Sequence, residues 1–208
     1  MPERTPEDLL REQYFDLLPE IRNVTENLEA EVRYYVRRNF RDLHPGEQIV
    51  VRSRIKECES AVDSLRRRQK EALAFDPAEK YTLLELKDLA GVRVLAFPRA
   101  RRTELNEKLR EVFPAWDRDP FQIDPEETFG YKYSGFHEVS NRVRGEYQIV
   151  SMLVGLFWEV EHSAVYKWTP KLRGATRSSP MRERNQEVLL SFAAFEEEFE
   201  RIRNEALR

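Results

Sequence analysis

The N-terminal part of the chain carries apolar side chains at helical spacing. Thr5 followed by Pro6 is a favourable helix start, because a Thr hydroxyl caps the first turn and Pro is tolerated inside it. The spacing predicts a helix up to Pro19 and a second helix that Pro19 opens, and together they form a helical brace over residues 1–43. The apolar positions are Leu9, Leu10, Tyr14, Leu17 and Leu18 before Pro19, and Ile21, Val24, Leu28, Val32 and Tyr35 after it.

Strand and helix signals alternate through the middle of the chain. Short apolar runs predict two strands, and helical spacing predicts a helix after each of them. Two further segments, joined by a tight RVRG turn, predict an antiparallel hairpin. The predicted strands are 49–51, 92–97, 137–143 and 146–149, and of the two helices one carries Val62 and Leu65 and the other covers residues 103–112.

The C-terminal segment 185–207 is amphipathic and predicts a long final helix. Helices before, between and after a mixed sheet of about five strands predict an α+β fold, and no repeat suggests a second domain within residues 1–208. The apolar stripe of the final helix consists of Val188, Leu189, Phe192, Phe195, Phe199 and Ile202.

The composition is that of a folded globular protein. The chain has 208 residues, of which 40% are hydrophobic, and a net charge of -3, so no global basic field points to nucleic-acid binding. The single Cys58 excludes an internal disulfide framework and fits a reducing compartment. No apolar run approaches the roughly 20 residues of a membrane span, and the acidic N-terminus does not resemble a signal peptide. We therefore expect a cytoplasmic protein without a membrane partner.

The candidate chemistry begins at the last predicted strand, where Glu146 and Gln148 alternate. Strand alternation places both side chains on one face, and a carboxylate beside an amide suits a cleft better than a core. A Trp-x-x-Glu-His-x-x-x-Tyr-Lys run from Trp158 to Lys167 follows, with helical spacing that predicts an element packed beneath the strand.

Three further segments carry residues of the same chemical character. VRSRIKECES presents Arg54 and Lys56 after an apolar strand, with Ser60 opening the next helix, and Arg offers a planar fork to phosphate oxygens. LKDLAGVRVLAF places Asp88 before the next strand and Arg93 at its start. GYKYSGFHEV carries two candidate aromatic platforms for a nucleobase. The candidates in that last segment are Tyr131 and Tyr133, with His137 behind them.

In this order and spacing, the four segments resemble the synthetase domain of RelA/SpoT-type alarmone synthetases. The resemblance covers a catalytic core over about residues 49–167 and implies a nucleotidyltransferase-like fold. It implies that the β,γ-pyrophosphate of ATP moves to the 3′-hydroxyl of GDP or GTP. The implied roles are ATP binding for Arg54, Lys56, Ser60 and Arg93, acceptor binding for Tyr133, Tyr131, His137 and Gln148, and catalysis for Asp88 and Glu146.

A magnesium ion is the expected cofactor. Asp88 and Glu146 come from separate strands, and Mg²⁺ usually takes only one or two carboxylates besides waters and substrate phosphates. Both carboxylates are therefore candidate metal ligands as well as catalytic groups. The histidines, His44, His137 and His162, are scattered and form no His-Asp pair, so the hydrolase domain of the long family members is absent from this sequence.

Departures from the family pattern leave the acceptor open. Ser64 stands where a Lys is common, so a cation is lost unless Arg66, Arg67 or Arg68 replaces it, and Val150 and Leu156 stand where Arg and Asn or Asp are usual. One alternative is a toxin that pyrophosphorylates the 3′-CCA end of tRNA, which would bring an antitoxin partner. A second alternative is an inactive nucleotide-binding or antitoxin-like module. The terminal helices are the candidate surface for a homo-oligomer.

Overall fold

The computed structural model describes residues 5–71, 82–121, 124, 128–161 and 179–206. It confirms the α+β class, with a five-stranded mixed sheet and long helices at both ends. The helices are α1 (Pro6–Asn39), α2 (Cys58–Glu71), α3 (Arg99–Val112), α4 (Met152–Glu161) and α5 (Ser179–Ala206), and a short 3-10 helix covers Leu83–Glu85. The strands are β1 (Gln48–Ile55), β2 (Ala90–Phe97), β3 (Asp117–Arg118), β4 (Gly130–Phe136) and β5 (Arg144–Ser151).

The prediction of two N-terminal helices is wrong, because α1 runs unbroken through Pro19. A Pro inside a helix removes a backbone donor and costs about 3 kcal/mol. Here Leu17 and Ile21, on either side of Pro19, are almost fully buried, and burial continues along the same face to Val36. Packing of this long apolar face outweighs the local cost of the proline. The start is as predicted, since Thr5 and Asp8 form a capping box.

The sheet has the strand order β1-β2-β5-β4-β3. β2 and β5 are parallel, and each of the other neighbouring pairs is antiparallel. The parallel pair at the centre is connected through α3, β3 and β4, which follow β2 in the chain. The two strands that carry Arg93 and Glu146, β2 and β5, are therefore direct neighbours.

The predicted hairpin exists, but its first strand lies seven positions earlier than expected. β4 covers Gly130–Phe136, and residues 137–143 form the connection to β5. Trp116 fixes this pairing, because its ring packs on Gly135 and Gly145, which face each other across the two strands. A Cβ at Gly135 would come within 2.6 Å of the Trp116 ring, so only glycine fits there.

The two faces of the sheet differ. One face packs against α1 and α3 and contains the main core, including Val94, Tyr147 and Ile149. The other face is covered at one end by α4 and α5, which bury Leu95, Val150 and Leu189. Next to that apolar end, the same face carries charged and amide side chains. In the part of the chain that the structure describes, no helix combines the length and apolar character that crossing a membrane requires.

Candidate functional site

Two rows of residues cross the sheet on its polar face, which we call the cleft face. Directly opposite residues on neighbouring strands point to the same side of a sheet, so the pairing register identifies each row. The first row is Arg52 on β1, Arg93 on β2, Gln148 on β5 and Lys132 on β4, and the second is Arg54, Gly91, Glu146 and Ser134 on the same strands.

Asp88 and Lys56 meet beside the second row. Asp88 lies two residues before β2, Lys56 follows β1 directly, and the Lys56 Nζ contacts Asp88 Oδ2. Arg54 Nη2 lies 4.0 Å from the same oxygen. The backbone holds Lys56 in place, because its N–H donates to the Leu89 carbonyl at 3.0 Å and its carbonyl accepts from the Tyr14 hydroxyl at 2.8 Å. Burial lowers the pKa of Lys56, and the Asp88 charge opposes that shift.

Glu146 lies on the adjacent strand and is 7% exposed. Its Oε1 accepts a hydrogen bond from Gln148 Nε2 at 2.5 Å, and Gln148 Oε1 accepts one from Arg93 Nε at 2.9 Å. A chain of hydrogen bonds therefore orients the carboxylate from β2. Burial raises the pKa of Glu146, and the neighbouring negative charge of Asp88 raises it further. Burial, followed by the charge of Arg54, lowers the pKa of Arg93.

The residues present fit a magnesium ion shared with a phosphorylated substrate. Asp88 and Glu146 are close enough for the charge of one to disfavour ionisation of the other, and a divalent cation between them would remove that repulsion. Among residues 5–71, 82–121, 124, 128–161 and 179–206, no group of three or more His, Cys, Asp or Glu side chains is placed to hold a metal without a substrate. Mg²⁺ sites of nucleotide enzymes commonly use one or two carboxylates and complete the shell with phosphates and water.

Helix α2, which follows Lys56, carries Ser60, Ser64 and the arginines that were candidates to replace the missing cation. Ser60 is half-buried in the first turn of α2. Ser64, which stands in place of a cation, accepts a hydrogen bond from Arg67 Nη2 at 3.2 Å. Arg66 lies 3.5 Å from Glu7 of α1. Both arginines therefore make contacts within the helices, and the side chain of Arg68 lies outside the described residues.

The predicted acceptor tyrosines require a correction. Tyr133 is 2% exposed and stacks on Tyr147 with ring centroids 4.9 Å apart, on the face that packs against α1 and α3. Its hydroxyl donates to Asn106 of α3 at 2.8 Å. Tyr131 lies on the same side, two residues away, between Arg102 and Arg118. Both rings are odd-numbered residues of β4, whereas Ser134 pairs with Glu146, so the cleft face belongs to the even-numbered ones.

His137 also lies away from the cleft face. It is 6% exposed, and its Nε2 is 3.0 Å from Glu31 Oε2 of α1. This contact fastens the end of β4 to the N-terminal helix. Of the predicted acceptor residues, Gln148 alone lies beside Glu146 on the cleft face. His162, Tyr166 and Lys167, from the Trp-x-x-Glu-His-x-x-x-Tyr-Lys run, lie outside the described residues.

Different residues occupy the cleft face along β4. Lys132 and Ser134 point there, and Ser134 Oγ contacts Asp119, which also accepts from Lys87 Nζ at 2.6 Å. Sequence reasoning missed these residues because it placed the strand too late. The sequence alone held no signal for them, because the register of β4 on β5 is what selects the even positions of GYKYSGF. Beyond Lys132 lie Phe121 and Trp158, whose ring centroids are 5.4 Å apart.

No protein-family model matches this sequence, and no curated protein sequence matches it. Solved structures do match. Small alarmone synthetase 1 from Bacillus subtilis has a TM-score of 0.67 at 20% identity, and the match covers 94% of this chain and 98% of that one. The same enzyme bound to its product pppGpp has a TM-score of 0.67 at 18% identity, with 95% and 100% covered. A GTP pyrophosphokinase family protein from Streptococcus pneumoniae has a TM-score of 0.62 at 18% identity, with 93% and 94% covered. At these identities the likeness establishes a common fold.

Proposed function

We propose that this protein is a small alarmone synthetase of the RelA/SpoT type, which transfers the β,γ-pyrophosphate of ATP to the 3′-hydroxyl of GDP or GTP. The observation that carries the proposal is the meeting of Asp88 and Glu146 on one sheet face that also presents Arg54, Lys56 and Arg93. The fold shared with a synthetase solved in complex with pppGpp supports it.

The reaction asks for positioning and charge neutralisation more than for covalent chemistry by the protein. The acceptor 3′-oxygen forms a bond to the β-phosphorus of ATP, and the bond from that phosphorus to the oxygen bridging to the α-phosphorus breaks. AMP leaves with the bridging oxygen, and the proton of the acceptor hydroxyl passes to the carboxylate of Glu146. Burial raises the pKa of Glu146, which makes it a stronger proton acceptor than an exposed carboxylate. Gln148 holds it in place.

The donor nucleotide is assigned to the β1 and β2 side of the cleft. Arg54 is half-exposed and only loosely paired with Asp88, so its guanidinium can fork phosphate oxygens, whereas Lys56 and Arg93 supply fixed positive charge behind them. Ser60, in the first turn of α2, is assigned to the same nucleotide. Asp88 and Glu146 would hold Mg²⁺, which supplies neutralisation of the phosphate charge when it is bound.

A labelling experiment separates this function from its alternatives. Purified protein is incubated with Mg²⁺ and ATP labelled in the γ-phosphate, and GDP, GTP and bulk tRNA are offered in parallel, with the Glu146→Gln variant as control. Label in a guanine nucleotide product that depends on Glu146 supports the proposal. Label in the tRNA would contradict it in favour of the toxin activity, and label in neither acceptor would indicate an inactive binding module.

A further inference from the structure

We propose that Lys132, backed by Phe121 and Trp158, reads the nucleobase of the acceptor and sets a preference for guanine over adenine. This assignment rests on the proposed function, since it names the acceptor end of the same cleft. It replaces the tyrosines of β4, whose rings are turned into the core.

Lys132 lies next to the proposed catalytic carboxylate, on the side away from the donor residues. Lys132 pairs with Gln148 across the β4 and β5 strands, and Gln148 is hydrogen-bonded to Glu146. Neighbouring strands are about 4.8 Å apart, so Lys132 lies within the length of one nucleoside from the proposed catalytic carboxylate. The charged donor residues Arg54 and Arg93 lie on β1 and β2, on the opposite side of Glu146. An acceptor whose 3′-hydroxyl is at Glu146 therefore extends towards β4.

The Lys132 amine contacts an aromatic ring. Within the described ranges, it takes part in no hydrogen bond or ion pair, although the side chain is partly buried. Its Nζ lies 5.5 Å from the centroid of the Phe121 ring, in a cation–π arrangement. The nearby Asp119 carboxylate is already held by Lys87 and Ser134. The three donors of the ammonium group are thus available to a ligand.

Guanine and adenine differ in the groups that they would present to Lys132. Guanine presents two neighbouring acceptors, O6 and N7, whereas adenine presents the N7 acceptor next to an N6 donor. A lysine ammonium matches the guanine edge and opposes the amino group of adenine. Phe121 and Trp158 provide an aromatic wall that contacts either base, because stacking tolerates any base. The wall therefore supplies affinity, and Lys132 supplies the choice of base.

The test measures equilibrium binding and needs no turnover. With the donor site saturated by a non-hydrolysable ATP analogue, titration calorimetry gives the affinities of GDP and ADP for the wild type, Lys132→Met, Lys132→Arg and Phe121→Leu. Lys108→Met, on the exposed side of α3, is the matched control. We expect Lys132→Met to weaken GDP binding by about tenfold or more and ADP binding far less, and Lys132→Arg to retain most of the GDP affinity. Phe121→Leu should weaken both nucleotides.

Three results would overturn the assignment. The first is unchanged GDP affinity in Lys132→Met. The second is an equal loss of affinity for GDP and ADP in that variant, which would make Lys132 a phosphate ligand. The third is a wild type that does not bind GDP. Circular dichroism of each variant checks the fold, and Lys132→Arg, with its charge retained, keeps the comparison informative if Lys132→Met is unstable. A wild type that binds GDP through Lys132 but transfers no pyrophosphate would contradict the proposed function alone.

Discussion

The two sides of the cleft are built on different principles. On the β1 and β2 side, charges neutralise one another inside the protein, as in the contact of the buried Lys56 with Asp88 and the link from Arg93 through Gln148 to Glu146. On the β4 side, the Lys132 ammonium lies against an aromatic wall and makes no hydrogen bond or close ion pair within the described residues, although its charge acts on Asp119 and Glu146. On the proposed donor side the site residues are therefore part of the folded framework, whereas Lys132 on the proposed acceptor side is not tied into it by a side-chain hydrogen bond within the described residues. Substitution of Lys56 should consequently lower both stability and activity, whereas substitution of Lys132 should lower nucleotide affinity alone.

The largest effect is expected where the two sides meet. Asp88→Asn and Glu146→Gln should each lower kcat/KM for pyrophosphate transfer by roughly a hundredfold or more, because several kcal/mol of charge stabilisation are lost. Initial rates with labelled ATP measure this, and thermal unfolding checks that each variant is folded. A variant that keeps most of the wild-type rate would remove its residue from the catalytic site.

Lys56 and Arg54 offer a sharper contrast within the donor side. Lys56→Met leaves the Asp88 carboxylate without its closest cation, so we expect a loss of about 3 kcal/mol in unfolding free energy together with weaker ATP binding. The Arg54 side chain is 47% exposed, so Arg54→Ala should weaken ATP binding and change stability by only about 0.5 kcal/mol or less. Urea titration and ATP-analogue binding measure the two quantities. Equal losses of unfolding free energy in both variants would contradict the view that Lys56, but not Arg54, stabilises the fold.

Substitution of Tyr133 tests whether its ring belongs to the core or to the cleft face. Tyr133→Leu removes a core ring and the hydrogen bond to Asn106, and should cost about 2 kcal/mol of stability. In the folded protein at low temperature, the KM for the guanine nucleotide should stay within about twofold of the wild-type value, because the buried Tyr133 ring does not stack on the nucleotide. Loss of a stacking contact would instead weaken binding by about 1–3 kcal/mol. A large rise in KM in the fully folded variant would contradict the core position of Tyr133 and indicate that its ring contacts the nucleotide.

The smallest effect concerns stability and pH in magnesium-free buffer. A folded pKa raised above the ordinary value of 4.5 means that Glu146 contributes stability below that value and loses it as the pH rises through its folded pKa. Glu146→Gln removes this loss together with the repulsion from Asp88. The stability of the variant relative to the wild type should therefore increase from pH 4.5 towards neutrality, as measured by urea unfolding. A pH-independent difference would show that Glu146 ionises in the fold as it does in the unfolded chain.

On the β1 and β2 side the sequence was sufficient to predict the strands and the residues at their ends, because several signals agree there. The apolar runs before Arg54 and after Asp88 define their strands, and the pairing of β1 with β2 brings their ends together. For Glu146 and Gln148, the two-residue period alone predicted a common face, and the structure bears this out. The strand positions and the shared face of Glu146 and Gln148 depend only on local sequence patterns, and the sheet of the structure contains both.

The acceptor side and the first helix depended on packing that the sequence pattern does not specify. Which face Tyr133 occupies is decided by the register of β4 on β5, and that register is set by Trp116 on two facing glycines. The sequence allowed the Tyr133 ring to be a stacking platform for a base or a core residue, and in the structure it lies in the core and stacks on Tyr147. Pro19 is the same kind of case, since a long buried face overrode a local signal for a helix start.

The most direct test of the account follows the two transferred phosphoryl groups separately. The protein is supplied with Mg²⁺, GDP and ATP labelled in either the β- or the γ-phosphate, and the products are separated and counted. We expect both labels in one guanine nucleotide product, in equal amounts, with one AMP formed for each product molecule. Transfer of the γ label alone, release of either label to water, or label in no guanine nucleotide would contradict pyrophosphate transfer by this cleft.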